Sequence, residues 1–204
     1  MNNSARGSDG VQGSGAGGAG AGAGGAGGGE ASEVRIRRAT SADAGAIVAM
    51  LGRFMAMHAA MNPWRYVTQE EPAVAFRRAL SDPGERVLLW LIAERPGPGG
   101  EAVGYLMAEE EAEDAMLWYP TTVVVHDVYV EESVRGGGVG RRLMDEALAW
   151  ARQRGAEQVR LYTDEQNLAA RARFAKLGFV QTMREMSLRL GGGRGPERSG
   201  GLQD

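Results

Sequence analysis

Apolar and charged residues alternate over EVRIRR, Glu33 to Arg38, which predicts a first strand. Thr40 to Asp43, TSAD, then has the form of a capping box, and Ile47, Met50, Leu51, Phe54 and His58 recur at helical spacing, so a helix follows and ends near Pro63. EPAVAFRRAL from Glu71 has a proline near its start and apolar Val74, Phe76 and Leu80, and predicts a second helix. After the turn DPGE, Asp82 to Glu85, VLLWLIAE is a nearly continuous apolar run of strand length. PGPGG breaks it and AVGYLMAEE resumes it, which predicts a hairpin. TTVVVHDVYV, Thr121 to Val130, is a β-branched strand that runs into a glycine loop. From Gly138 to about Arg154, Val139, Leu143, Met144, Ala147, Leu148 and Ala151 fall on one face of an amphipathic helix that Gly155 closes. QVRLYTDE then reads as a strand, NLAARARFAKL as a helix and FVQTMREMSLRL as a last strand. The order βα(α)βββαβαβ predicts an α/β domain.

Composition confines that pattern to the middle of the chain. Of 204 residues, 32 are glycine, and many of these lie in the Gly/Ala-rich stretch 1–32 and in GGGRGPERSGGLQD, residues 191–204. Such stretches bury too little apolar surface to offset their ordering entropy and are expected to be disordered, leaving one domain over 33–190. A net charge of −3 without a basic block argues against nucleic acid as a partner. The absence of cysteine removes disulfides, thiolate metal sites and a cysteine nucleophile, and suits a reducing, cytoplasmic setting. No window is expected to reach the ~18 apolar residues of a membrane span.

The candidate chemistry begins at RGGGVG, Arg135 to Gly140. A glycine turn between a strand and a helix can hold phosphate, because the first helical N–H groups lack intrahelical partners and the dipole there favours negative charge. Arg135, Arg141 and Arg142 add charge-assisted donors. A Walker A loop fails, since Gly140-Arg141-Arg142 has no Lys-Ser/Thr, and a dinucleotide fingerprint fails at its third glycine, where Arg141 stands.

DVYVEESVRGGGVGRRLMDEAL resembles the acetyl-CoA-binding motif of the GCN5-related N-acetyltransferase (GNAT) family, with Arg135, Gly138 and Gly140 at its defining positions. Leu161, Asn167, Ala170 and FAKLGF, Phe174 to Phe179, resemble the family's second motif, and the strand order is similar over roughly Val34 to Leu190. The resemblance implies a mixed, mostly antiparallel central sheet flanked by helices, with central strands that splay. It implies acetyl transfer from acetyl-CoA to a primary amine of a small molecule or peptide by direct attack; a non-catalytic acyl-CoA-binding or sensor domain is the alternative. No metal is implied, and a homodimer through the last strand is an expectation by analogy.

Residue by residue, the resemblance implies that the backbone of Val128, Tyr129 and Val130 holds the pantetheine arm, with an N–H near Val128 or Val130 facing the thioester oxygen. The diphosphate would sit on Gly136, Gly137, Gly138, Val139, Gly140 and Arg141. Asn167 would cap its helix and touch pantetheine. Phe174 stands where the family commonly has a tyrosine, and its ring can line coenzyme A but not protonate the leaving thiolate. That proton would then come from water, Tyr129 or Tyr162, or the thiolate would leave as such. For the base, strand alternation puts His126 on the face of Val128 and Val130 and Asp127 on the other, where it serves only if a bulge changes the parity. His58 reads as a core-edge or pocket residue. The acidic run Glu109 to Asp114 reads as a solvated edge, or as a feature favouring cationic amines if it borders the acceptor's entrance.

Overall fold

The computed structural model describes residues 34–63, 65, 78, 80–82, 84–112 and 120–188. The expected tails lie outside them, as does most of the expected second helix, of which Arg78, Leu80 and Ser81 are described as helical.

Five strands form one sheet in chain order: β1 (Arg35–Arg38), β2 (Val87–Glu94), β3 (Ala102–Glu111), β4 (Thr122–Val130) and β5 (Gln158–Leu161). β1 to β4 are antiparallel neighbours, and β5 runs parallel to β4. Helix α1 (Ala44–Met61) covers one face; α2 (Val139–Gln153) covers the other, where α3 (Leu168–Lys176) also brings Phe174 to the core.

The unbroken apolar run of β2 follows from this sandwich, since both of its faces are buried. Leu89, Leu91 and Ala93 pack toward Leu143, Met144 and Ala147 of α2, while Trp90 and Ile92 pack toward Ile47, Met50 and Leu51 of α1. β3 divides the same way, with Leu106 and Ala108 on the α2 side and Tyr105 and Met107 on the α1 side.

β1 is short and is anchored by charge. Arg35 and Arg37 both bond the Glu94 carboxylate, Arg37 Nε at 3.0 Å, and Arg37 also grips Asp43 through Nη1 at 2.8 Å and Nη2 at 2.9 Å. Asp43 accepts the Thr40 N–H at 2.7 Å, as the capping pattern predicts, and the Arg37 guanidinium does most to hold its carboxyl down at about 2. Arg142, from α2, donates to the Val34 carbonyl at 2.8 Å and so ties the helix to the start of β1 instead of to phosphate.

Two expectations are corrected. Residues 179–188 form no strand, and Val180, Met183, Met186 and Leu188 are exposed. Their apolar pattern suits a strand, but a strand exists only through its ladder, and β5 pairs over just four positions. Second, Ser41–Met61 is apolar and long enough to cross a membrane by length and composition. In this fold its Ile47, Met50, Leu51 and His58 are buried as one layer of the core.

Gly104 pairs with Val130, and a Cβ at Gly104 would lie 2.8 Å from the Tyr129 carbonyl oxygen. Only glycine lets β3 approach this end of β4 so closely. Gly104→Ala is therefore expected to destabilise the protein by about 1–3 kcal/mol, read as a lower melting temperature.

Candidate active site

β4 is paired along its whole length on the β3 side but only from Thr122 to Val125 on the β5 side, where the last pair is Val125 with Leu161. Among the described residues, nothing pairs with its second edge as a strand from His126 to Val130. This is the splay that the resemblance implies.

The direction of the backbone on that edge follows from one hydrogen bond. Glu131 N–H donates to the Val103 carbonyl at 2.8 Å, and antiparallel pairs alternate between bonded and non-bonded, so Val128 and Val130 turn their N–H and C=O groups away from β3. The expected backbone donors thus face the gap. Arg135 Nε donates to the Val130 carbonyl at 2.9 Å, its Nη1 lies 3.0 Å from Glu132, and its guanidinium stacks 5.9 Å from the centre of the Tyr129 ring. Its side chain therefore closes the end of the open edge.

Gly138 opens α2 in the left-handed region at φ 80°, after Gly136 at φ 87°. Among the described residues, nothing accepts from the N–H groups of Gly136, Gly138, Val139, Gly140 and Arg141, whereas Gly137 N–H reaches Val134 at 3.4 Å. These donors gather at one helix N-terminus, with the exposed Arg141 side chain beside them, 3.5 Å from Asp145. Asn167 accepts the Ala170 N–H at 3.1 Å and caps α3, and Phe174 packs edge-on to Phe179 at 5.9 Å and against the α2-side core. Tyr129 donates to Glu131 at 3.1 Å, and Tyr162, just beyond the last β4–β5 pair, is 68% exposed.

The register of β4 corrects the reading of its two titratable residues. Met107 pairs with Asp127 but Ala108 pairs with Val125, so His126 is an extra residue, a bulge. Val128 and Val130 pack with the α2-side core, while Tyr129 belongs to the α1 side. His126 does not share their face: its Nε2 lies 3.2 Å from Glu109 Oε2, on the α1 side. Asp127 turns to that side too, toward Tyr105, and burial pushes its carboxyl up to about 6, against the opposing influences of His126 and Tyr105.

Of the acidic run, Glu113 and Asp114 lie outside the described residues, and the three described carboxylates are each paired with an arginine. Glu109 pairs with Arg86, Glu110 with Arg154 and Glu111 with Arg160. On the α1 side a cleft of about 350 Å³ lies between Arg53 and Met57 of α1 and Tyr129, Glu131, Glu132, Ser133 and Arg135. Arg53 and Tyr129 share Glu131 at its wall, a network that neither periodicity nor motif spacing signals. His58, buried near the C-terminal end of α1, is pushed down by desolvation, with Asp164 opposing, and does not line this cleft.

A parallel pair that splays beside a glycine-opened helix, within this strand order, defines the acyl-CoA N-acyltransferase fold. The chain belongs to the GNAT acetyltransferase family, whose model matches residues 54–179. It is 34% identical over 112 residues to a mycothiol acetyltransferase of Salinispora tropica, a match covering 50% of this chain and 36% of that protein. An uncharacterized N-acetyltransferase, YhfO, of Bacillus subtilis is 27% identical over 72% of this chain and 91% of its own length. A tetramutant of the BH1408 protein of Bacillus halodurans superposes with a TM-score of 0.66 over 76% of this chain and 99% of its own, at 19% identity, a likeness of fold. The chain spans less than half the length of the mycothiol acetyltransferases it matches.

The Asp127 carboxyl links this geometry to stability. Unfolded, it loses its proton near 3.8, and folded near 6, so between these values the folded state binds more protons and stability falls as pH rises. Asp127→Asn is expected to melt higher than the parent protein above about pH 6, by up to about 3 kcal/mol, with the gain vanishing below about pH 4. Melting curves across that range check it.

Proposed function

We propose that the protein transfers an acetyl group from acetyl-CoA to a primary amine of a small molecule or peptide, with Asp127 as the base. The observation that carries this reading is the open β4 edge, His126 to Val130, running into a loop in which the amides of Gly136, Gly138, Val139, Gly140 and Arg141 have no acceptor among the described residues. An extended amide-bearing arm can continue the sheet along Val128 and Val130, and a diphosphate suits the amides of 136–141. The relatives named as acetyltransferases support the same reaction.

Each step then falls to a residue on this edge. An amine attacks only when neutral, and Asp127, buried and titrating near 6, is ionised at neutral pH while still able to accept a proton. The Val128 or Val130 N–H stabilises the charge that develops on the thioester oxygen. No cysteine is present to carry an acetyl-enzyme, so attack is direct. Phe174 cannot protonate the leaving group, and a thiol of pKa ~8.5 leaves as the thiolate or takes a proton from water. His126 is the alternative base, but its Nε2 is turned to Glu109 Oε2 at 3.2 Å.

Calorimetric titration with coenzyme A is expected to show binding that Gly138→Val weakens, because φ 80° strains any side chain, and that Gly137→Lys leaves no worse. A folded protein with no binding would overturn the reading. Thiol release from acetyl-CoA against a panel of amines is expected to rise with pH through about 6, and Asp127→Asn to lower kcat by about 10²–10⁴ while coenzyme A still binds. Loss in His126→Ala with Asp127→Asn intact would transfer the role to His126. Binding without turnover on every amine would favour a sensor.

A further inference from the structure

Tyr105 is wholly buried, yet among the described residues its hydroxyl has no partner at hydrogen-bonding distance. A buried hydroxyl without a partner is destabilising, and native structures rarely leave one so. It lies on β3 directly opposite Tyr129, its ring 6.3 Å from that ring, which makes Asp127 its diagonal neighbour on the same face. Diagonal neighbours about 7–8 Å apart are within reach of a tyrosine. Without the bulge at His126, Asp127 would face α2 and the hydroxyl would have no carboxylate beside it.

The other ionisable groups on this face are engaged elsewhere. Glu109 holds Arg86 and His126, Tyr129 and Arg53 share Glu131, Arg160 pairs with Glu111, and His58 lies toward Asp164. The hydroxyl and the carboxylate thus each face a group that the rest of the network leaves over. Each acts on the other: Tyr105 opposes the upward push of burial on Asp127, and Asp127 reinforces the upward push of burial on the phenol.

We propose that Tyr105 is the positioning residue of the Asp127 carboxylate, its buried hydroxyl closing onto it as hydrogen-bond donor and fixing its orientation toward the gap. The proposal rests on the reading of Asp127 as base, but the hold itself can be measured apart from turnover. The probe is the Asp127 carboxyl carbon, followed by carbon-13 NMR titration in the full chain.

A donor stabilises the ionised carboxylate, so Tyr105→Phe is expected to move the Asp127 midpoint upward by about one pH unit. Tyr129→Phe, whose hydroxyl serves Glu131, is expected to leave the midpoint in place. Coincident midpoints for the parent protein and Tyr105→Phe overturn the proposal, as do equal shifts in both variants, since these mark a general change in packing. The low-pH limb of kcat/KM for amine acetylation is expected to move with the midpoint in Tyr105→Phe. A midpoint that moves while the limb stays overturns Asp127 as the base and leaves the tyrosine's hold standing.

Discussion

β4 carries one residue more than the stretch of β3 it pairs with, and that residue, His126, governs what the rest of the strand presents. Before it, Val123 and Val125 pack toward α2; after it, Val128 and Val130 do so again, two consecutive residues having turned to the other face. A one-residue change of parity moves every following side chain across the sheet. It places Asp127 among Tyr105 and Tyr129, in surroundings apolar enough to hold its proton to about pH 6, while the neighbouring valines offer backbone alone to the gap.

The second requirement is that β4 keep an open edge without losing its place. β3 supplies the hold on one side, made close by Gly104, and the edge is closed at its far end by Arg135 on the Val130 carbonyl. α2 then starts at once, with Val139, Leu143 and Met144 buried against the sheet, so the unpaired amides of the loop are fixed by the same packing that forms the core. Across the gap, Asn62 at the end of α1 donates to Asp164 at 2.8 Å, joining the α1 side to the loop after β5. The opening is therefore bounded by polar contacts, exposed at Arg135 and partly buried at Asn62.

Much of this was legible in local sequence. The glycine loop, the amphipathic α2, the Asn167 cap and the β2–β3 hairpin depend on residues close in the chain, and so leave a periodic or motif signature. The bulge leaves none, because it exists only in the register between β3 and β4; alternation alone therefore put His126 on the wrong face. Arg135 and Arg142 were legible as cations beside a phosphate loop, but their bonds to Val130 and Val34 depend on how the chain returns in space. The acidic run Glu109 to Asp114 was read as a solvated edge for the same reason, since the arginines that pair with Glu109, Glu110 and Glu111 come from positions 86, 154 and 160. The last strand was expected from an alternation that lacks a ladder to join.

The most direct measurement is a crystal structure of the protein with coenzyme A. The pantetheine arm is expected along the open edge at Val128 and Val130, with the diphosphate on the amides of residues 136–141 and the thiol end directed toward the row of Asp127. Coenzyme A bound elsewhere, or an edge from His126 to Val130 closed by pairing with β5, would contradict the central claim.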